Sequence, residues 1–231
     1  MISVSNLSKI YSGVTVLNID SLEIKAGESF GLVGNNGAGK TTLFRLILDL
    51  IRPQTGFVTS KEQDVSRSEN WKLYTGSYLD RNFLIDFLTP EEYFDFNARI
   101  HGMSPEDLHV FLDSMTEFFN DEILGKKKFI RDLSKGNQQK IGVAAAFMAD
   151  PEVIILDEPF NGLDPSSQIR LINMLNRLKE NKRTTLLISS HDLNHVTEVC
   201  SRIAILEKGI IVKDLQTEEN TLKELRNYFS V

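Results

Sequence analysis

Gly34, Gly39, Lys40 and Thr41 stand in the order glycine, four residues, glycine, lysine, hydroxyl residue, within Gly34-Asn35-Asn36-Gly37-Ala38-Gly39-Lys40-Thr41. That order suits a chain of phosphates. Glycines admit backbone angles that turn successive N–H groups toward one anion. A helix beginning at the lysine adds the positive end of its dipole. Lys40 would bring a full charge to the β- and γ-phosphates of a nucleotide, and the Thr41 hydroxyl is a hard oxygen ligand for Mg²⁺. A second cluster follows the apolar run Val153-Ile154-Ile155-Leu156, which ends in Asp157-Glu158. Adjacent carboxylates at the end of a buried strand are costly unless a cation or a substrate uses them. Asp157 can hold Mg²⁺ directly or through water, and Glu158 is placed to orient and deprotonate an attacking water. A third cluster, Leu133-Ser134-Lys135-Gly136-Asn137-Gln138-Gln139, opens a helix, where Ser134 and the local N–H groups suit an anion.

These clusters need elements to carry them. Residues 29–33 read as a buried strand running into the glycine loop, and residues 41–48 have helical apolar spacing. Residues 1–33 as a whole are β-rich, with apolar stretches at 14–19 and 22–24 and turns at Gly13 and Ala26-Gly27-Glu28. Thr89-Pro90-Glu91-Glu92 predicts a helix start: a capping threonine, proline at the first helical position, and Glu92 to complete a capping box. Ser104-Pro105-Glu106-Asp107 repeats the pattern, and Leu108, Phe111, Leu112, Met115 and Phe119 then share one helical face, read as core packing. Residues 89–145 therefore read as a helical insertion. Beyond it, strand and helix alternate: a strand at 153–156, a helix from Asp164-Pro165 with Ile169, Ile172 and Leu175 on one face, and a strand at 184–189. A hairpin of 203–206 and 209–212 turns at Glu207-Lys208-Gly209, and a charged helical tail begins at Thr217. The fold class is α/β.

The chain has 231 residues, 41% of them apolar, which is enough to bury the core of one large domain or of a core carrying a smaller subdomain. There are 26 lysines and arginines against 32 aspartates and glutamates, a net charge of −6. That balance argues against a nucleic-acid partner, which needs a positive field. The lone cysteine, Cys200, excludes an intramolecular disulfide and reads as a small packed hydrophobe. The first residues lack a basic stretch followed by an apolar run, so no leader is expected. The longest apolar candidate, residues 141–149, falls far short of the roughly 20 residues that cross a bilayer. A cytoplasmic protein is expected. His101, His109 and His195 show no ligand spacing, and Lys126-Lys127-Lys128 reads as a solvated loop.

In order and over nearly the whole chain, these motifs resemble the ATP-binding cassette (ABC) ATPases. Gly34 to Thr41 resembles the Walker A loop, Ile154 to Glu158 the Walker B strand with its glutamate, and Leu133 to Asn137 the LSGGQ signature. Asn161-Gly162-Leu163-Asp164 resembles the D-loop, His191 in Ser189-Ser190-His191-Asp192 the switch histidine, and Tyr11 the aromatic residue that stacks on adenine. The signature departs from the family, reading LSKGN: Lys135 replaces a glycine and Asn137 a glutamine, while Ser134 and Gly136 are retained. Asp80, or alternatively Arg81, stands where the family has the glutamine of the Q-loop.

The resemblance implies a P-loop, RecA-like core with an N-terminal antiparallel β-subdomain (residues 1–88 and 146–231) and an inserted α-helical subdomain (89–145) ending at the signature. It implies ATP and Mg²⁺ as cofactors. Gly34, Asn35, Asn36, Gly37, Ala38, Gly39, Lys40, Thr41 and Thr42 would cradle the nucleotide with Tyr11, Ser134, Gly136 and Asp164. Thr41, Asp157 and Asp80 would serve the metal, and Glu158, His191 and Lys40 the hydrolysis. Implied partners are a second cassette and a separate transmembrane permease, met by the aromatic-rich stretch from Phe83 to Phe96, on the cytoplasmic face of the membrane. The sequence is most similar in style to bacterial exporter cassettes. The alternative is an ABC ATPase acting on nucleic acid or ribosomes. Asn181-Lys182-Arg183-Thr184 begins like a guanine-reading motif, but Thr184 stands where that motif needs an aspartate.

Overall fold

Parallel strands buried on both faces read as nearly continuous apolar runs, and residues 29–33 and 153–157 are buried at every position. The structure is a computed structural model and describes residues 1–230. In chain order, β1 (Ile2–Tyr11), β2 (Val14–Ile24) and β3 (Ser29–Val33) lead into α1 (Lys40–Ile47), followed by β4 (Thr55–Ser60), β5 (Gln63–Asp64) and β6 (Thr75–Tyr78). The α-helices α2 (Pro90–Ile100), α3 (Pro105–Ser114), α4 (Thr116–Phe119) and α5 (Lys135–Ala145) come next. Then follow β7 (Val153–Asp157), α6 (Pro165–Asn181), β8 (Thr185–Ser190), α7 (Leu193–Val199), β9 (Arg202–Glu207), β10 (Ile210–Gln216) and α8 (Thr221–Phe229).

The strands form two sheets. One is antiparallel, in the order β2-β1-β4-β5, and the other runs β10-β9-β3-β8-β7-β6. In the second, β9, β3, β8, β7 and β6 are mutually parallel and β10 closes the edge as an antiparallel hairpin with β9. Side chains alternate across it. Ile154, Leu156, Leu186 and Ile188 face the helices from α2 onward. Phe30, Leu32, Val153, Ile155 and Leu187 face α1 and the antiparallel sheet. Helices α2 to α5 lie in sequence between β6 and β7, which pair with each other.

Both proline-led helix starts close as capping boxes. The Glu92 N–H donates to Thr89 Oγ1 at 3.3 Å and the Thr89 N–H to Glu92 Oε2 at 2.8 Å; Ser104 and Asp107 do the same. Three local expectations change. The stretches at 14–19 and 22–24 are one strand, because Ile19, Leu22 and Ile24 pair in register with Leu7, Val4 and Ile2, and the polar residues between them turn outward. The helical face from Leu108 to Phe119 is divided: α3 ends at Ser114, Met115 caps it, and α4 stops where Asn120 turns left-handed at φ 54°. Ile169 is 59% exposed, and Leu171 takes its place beside Ile172 and Leu175. At 3.6 residues per turn, residue 169 lies about 160° around the helix from residue 171, so the two cannot share a buried face.

Gly142 shows packing overruling propensity. A Cβ there would lie 2.0 Å from the buried Tyr78 ring. Alanine is the better helix former by about 1 kcal/mol, yet overpacking a core costs about 1–3 kcal/mol. Gly142→Ala is therefore expected to destabilise the protein in urea or guanidinium unfolding; a gain in stability would show that the Tyr78 contact does not constrain α5.

Candidate functional site

Neighbouring parallel strands deliver their C-terminal ends to one edge of the sheet. Strand β8 pairs with β3 on one side and β7 on the other, bringing Val33 beside Ser190 and Asp157 beside Ser189. The glycine loop after β3, Asp157-Glu158 on β7 and His191 after β8 therefore meet, although far apart in sequence. Open α/β sheets bind ligands at this edge.

Within the loop, Gly37 (φ 83°) and Gly39 (φ 111°) are left-handed, and a Cβ on Gly34 would lie 2.3 Å from the Leu206 carbonyl oxygen. No side chain caps α1 after Gly39, so its first N–H groups are not engaged by a capping side chain. The Lys40 ammonium is buried, donates to the Gly34 carbonyl at 2.7 Å and pairs with Glu158 Oε1 at 3.3 Å. The Thr41 hydroxyl donates to one oxygen of Asp157 and the Ser189 hydroxyl to the other. Burial raises the Asp157 pKa; the hydrogen bonds from Ser189 and Thr41 oppose that rise, Glu158 adds to it and Lys40 opposes it.

Glu158 has a left-handed backbone, φ 47°, which costs a non-glycine residue about 1–2 kcal/mol. Its N–H is held by Ser189, through the carbonyl at 3.2 Å and the hydroxyl at 3.0 Å. Its Oε2 lies 2.8 Å from His191 Nδ1 and 3.3 Å from the His191 N–H. The chain spends backbone strain to aim this carboxylate along the edge of the sheet, between Lys40 and His191.

Ser134 is the N-cap of α5, its hydroxyl accepting the Asn137 N–H at 3.1 Å. Gly136 is needed for close approach: a Cβ would lie 2.7 Å from the Gly162 carbonyl. Asp164 caps α6 and accepts from the hydroxyls of Ser166 and Ser167 and the Ser167 N–H. A cavity of about 250 Å³ is lined by Asp80, Arg81, Lys135, Asp157, Glu158 and Gly162 among others. The lysine that replaces a signature glycine thus shares a cavity with the two carboxylates. Asp80 reaches it as well, but its carboxylate lies 3.5 Å from the Arg45 guanidinium and accepts the Asn82 N–H at 2.7 Å. Tyr11 ends β1 with 44% of its surface exposed and the Lys9 ammonium 5.1 Å from its ring centre.

Sequence reasoning missed three features. Ser189 sits two residues before the histidine it does not resemble in chemistry, and only the β7–β8 register shows that its hydroxyl serves both acids. Gln139, within the signature stretch, donates to the carbonyls of Glu158 and Pro159. Tyr228 and Phe229 of α8 help wall a cavity of about 670 Å³ against Asn35, Asn36, Gly37 and Ala38, and nothing local in the tail signals that.

Thr41 and Asp157 present two hard oxygen donors in mutual contact, which fits Mg²⁺, an ion that takes few protein ligands and completes its shell with phosphate and water. Among the described residues no group of three or more His, Cys, Asp or Glu could form a cage of its own.

A phosphate loop, a strand-end carboxylate pair and a histidine on one sheet edge define a nucleotide-hydrolysing cassette. The ABC transporter family matches residues 17–161. The chain is 34% identical over 229 residues to an uncharacterized ABC transporter ATP-binding protein, YhaQ, of Bacillus subtilis, spanning 99% of this chain and 74% of the relative. It is 33% identical to the bacitracin transport ATP-binding protein BcrA of Enterococcus faecalis, over 95% of this chain and 70% of that one. A solved structure of an ATP-binding subunit of an ABC transporter superposes with a TM-score of 0.84 at 28% identity, covering 100% of this chain and 93% of the other. The chain belongs to the ABC transporter family, as an ATP-binding subunit with ATPase activity. No helix among the described residues is long and apolar enough to cross a membrane.

The Asp164 cap has a pH signature. Hydrogen bonds from Ser166, then Ser167, hold its pKa far below the usual carboxylate value of 3.8. A depressed native pKa contributes stability above the unfolded value and loses it as the pH falls through the native one. Asp164→Ala should cost about 1 kcal/mol at neutral pH, and in urea unfolding the gap to the natural protein should narrow only below the ordinary carboxylate range. A gap independent of pH down to the acid limit would show that the ionised carboxylate is not what caps α6.

Proposed function

We propose that the chain powers a bacterial exporter whose permease is a separate polypeptide, through ATP-driven pairing of two cassettes. The observation that carries the hydrolytic part is the convergence of Lys40 and His191 on the two oxygens of Glu158. In this reading the loop from Gly34 to Thr42 cradles the phosphates and Tyr11 stacks on the adenine. Thr41 and Asp157 hold Mg²⁺, with Asp80 at the margin of the same cavity. When bound, Mg²⁺ neutralises charge on the β- and γ-phosphate oxygens. The phosphates compete with Glu158 for the Lys40 ammonium, which releases one carboxylate oxygen to accept a proton from water. His191 stays on the other oxygen and reports the γ-phosphate. Catalysis is then mostly positioning and electrostatics.

Ser134 caps α5 and Gly136 lies in its first turn; by the resemblance to the family, we assign both to the nucleotide of a second cassette. ATP would lie between Lys40 of one chain and Ser134 of the partner subunit, with Asp164 near the junction. The helical subdomain, residues 89–145, would transmit closure to the permease. Phe83, Phe87 and Phe96 each expose 45% or more of their surface, as a docking face requires. In this reading the chain works on the cytoplasmic face of the membrane. The relative named for bacitracin transport supports a transport role, and the net charge of −6 weighs against nucleic acid.

Glu158→Gln should bind ATP as the natural chain does, accumulate as a dimer with ATP on gel filtration, and lose turnover by about 10²–10⁴-fold. Normal turnover by this variant would remove Glu158 from the mechanism. Co-expressed with a membrane protein encoded beside it, the chain should co-purify with that protein, and Phe87→Glu should weaken the association. ATPase activity stimulated by nucleic acid instead would overturn the transport reading.

A further inference from the structure

Gln139 lies on the second turn of α5, buried, with both ends of its amide engaged. Nε2 donates to the Glu158 carbonyl at 3.1 Å and to the Pro159 carbonyl at 3.2 Å. Oε1 accepts the Tyr78 hydroxyl at 3.0 Å. The left-handed Glu158 is therefore clamped from both sides. Ser189 of β8 holds its N–H, and Gln139 holds the two carbonyls that follow. Tyr78 is itself seated against Gly142, one turn further along α5, where a side chain would meet the ring. Two residues beyond Tyr78 lies Asp80, on the wall of the cavity that Glu158 also lines. An amide whose donors and acceptor are all satisfied in one buried geometry resists displacement, because any shift leaves a buried polar group unpaired.

We infer that Gln139 is a positioning residue for hydrolysis: its side chain sets the turn that aims the Glu158 carboxylate and ties that turn to the helix begun by Ser134. This rests on the reading of Glu158 as the residue that activates water.

Gln139→Met keeps the length and apolar volume of the side chain and removes its donors and acceptor; Tyr78→Phe removes only the phenol hydroxyl. The 231-residue chain would be assayed for kcat at saturating ATP and for Kd of ATP by direct titration, with each change made alone and in a Glu158→Gln background. Displacing a reacting group by a fraction of its reach costs up to about 100-fold in rate, so Gln139→Met should lower kcat by about 10- to 100-fold while Kd stays within about twofold. Tyr78→Phe should lower kcat by about two- to fivefold at the same Kd. Because Gln139 acts through Glu158, Gln139→Met should add no more than about threefold to the loss in Glu158→Gln. An unchanged kcat in Gln139→Met beside an inactive Glu158→Gln would overturn the inference and spare the role of Glu158. Normal turnover by Glu158→Gln would overturn both. If Gln139→Met does not fold, Tyr78→Phe decides, and an unchanged kcat in it counts against the clamp.

Discussion

Asp157 carries a carboxylate into the protein at the end of β7, where burial raises its pKa. Hydroxyls from Thr41 on α1 and Ser189 on β8 meet its two oxygens. Those contacts fix where the glycine loop, the strand-end acids and the histidine turn sit relative to one another. Ser189 extends the arrangement by also accepting the Glu158 N–H, so the strained backbone of Glu158 is held by the same residue that holds Asp157. A carboxylate buried at this depth is tolerated because hydroxyls from two other elements, α1 and β8, meet both of its oxygens.

The remaining architecture keeps that edge rigid and open. The antiparallel sheet and α1 cover one face of the parallel sheet, and the helices cover the other. Arg202 at the start of β9 joins the two sheets. Its guanidinium donates to the Glu23 carbonyl of β2 at 2.8 Å and pairs with Asp214 and Glu28; Asp214 first, then Glu28, hold its pKa above the ordinary value. Close backbone approaches do the rest. Gly34 sits against Leu206 and Gly136 against Gly162, each where a side chain would force two elements apart. The second contact ties the first turn of α5 to the segment before α6, and Gln139 joins the same helix to the turn at Glu158.

The departures from the family pattern take on physical meaning in this setting. Lys135 lines the cavity that Asp157 and Glu158 also line. Asp80 is matched with Arg45, which reaches it from the last turn of α1. Asp80 thus has an opposite charge beside it, and Lys135 shares a cavity with two carboxylates.

Chemistry confined to a few contiguous residues was readable in the sequence. A glycine loop declares itself because its N–H groups must converge within eight residues, and a capping box because its reciprocal bonds span four. Apolar runs marked the buried strands because burial on both faces favours apolar residues along a strand, with polar ones such as Asp157 and Ser189 kept to its ends. Period 3.6 placed the helices but not their faces, as Ile169 shows, since the buried stripe depends on what packs against it. The partners of Glu158 were not readable. Ser189 and Gln139 lie 31 and 19 residues away, and a serine or a glutamine is an ordinary residue in either place. Only strand register and the seating of Tyr78 on Gly142 bring their polar atoms within hydrogen-bond reach. Sequence by itself determined which groups were present and which segments could bury them; the tertiary structure decided which groups touch, because hydrogen bonds act over about 3 Å and the distances that matter are closed by packing between elements remote in the chain.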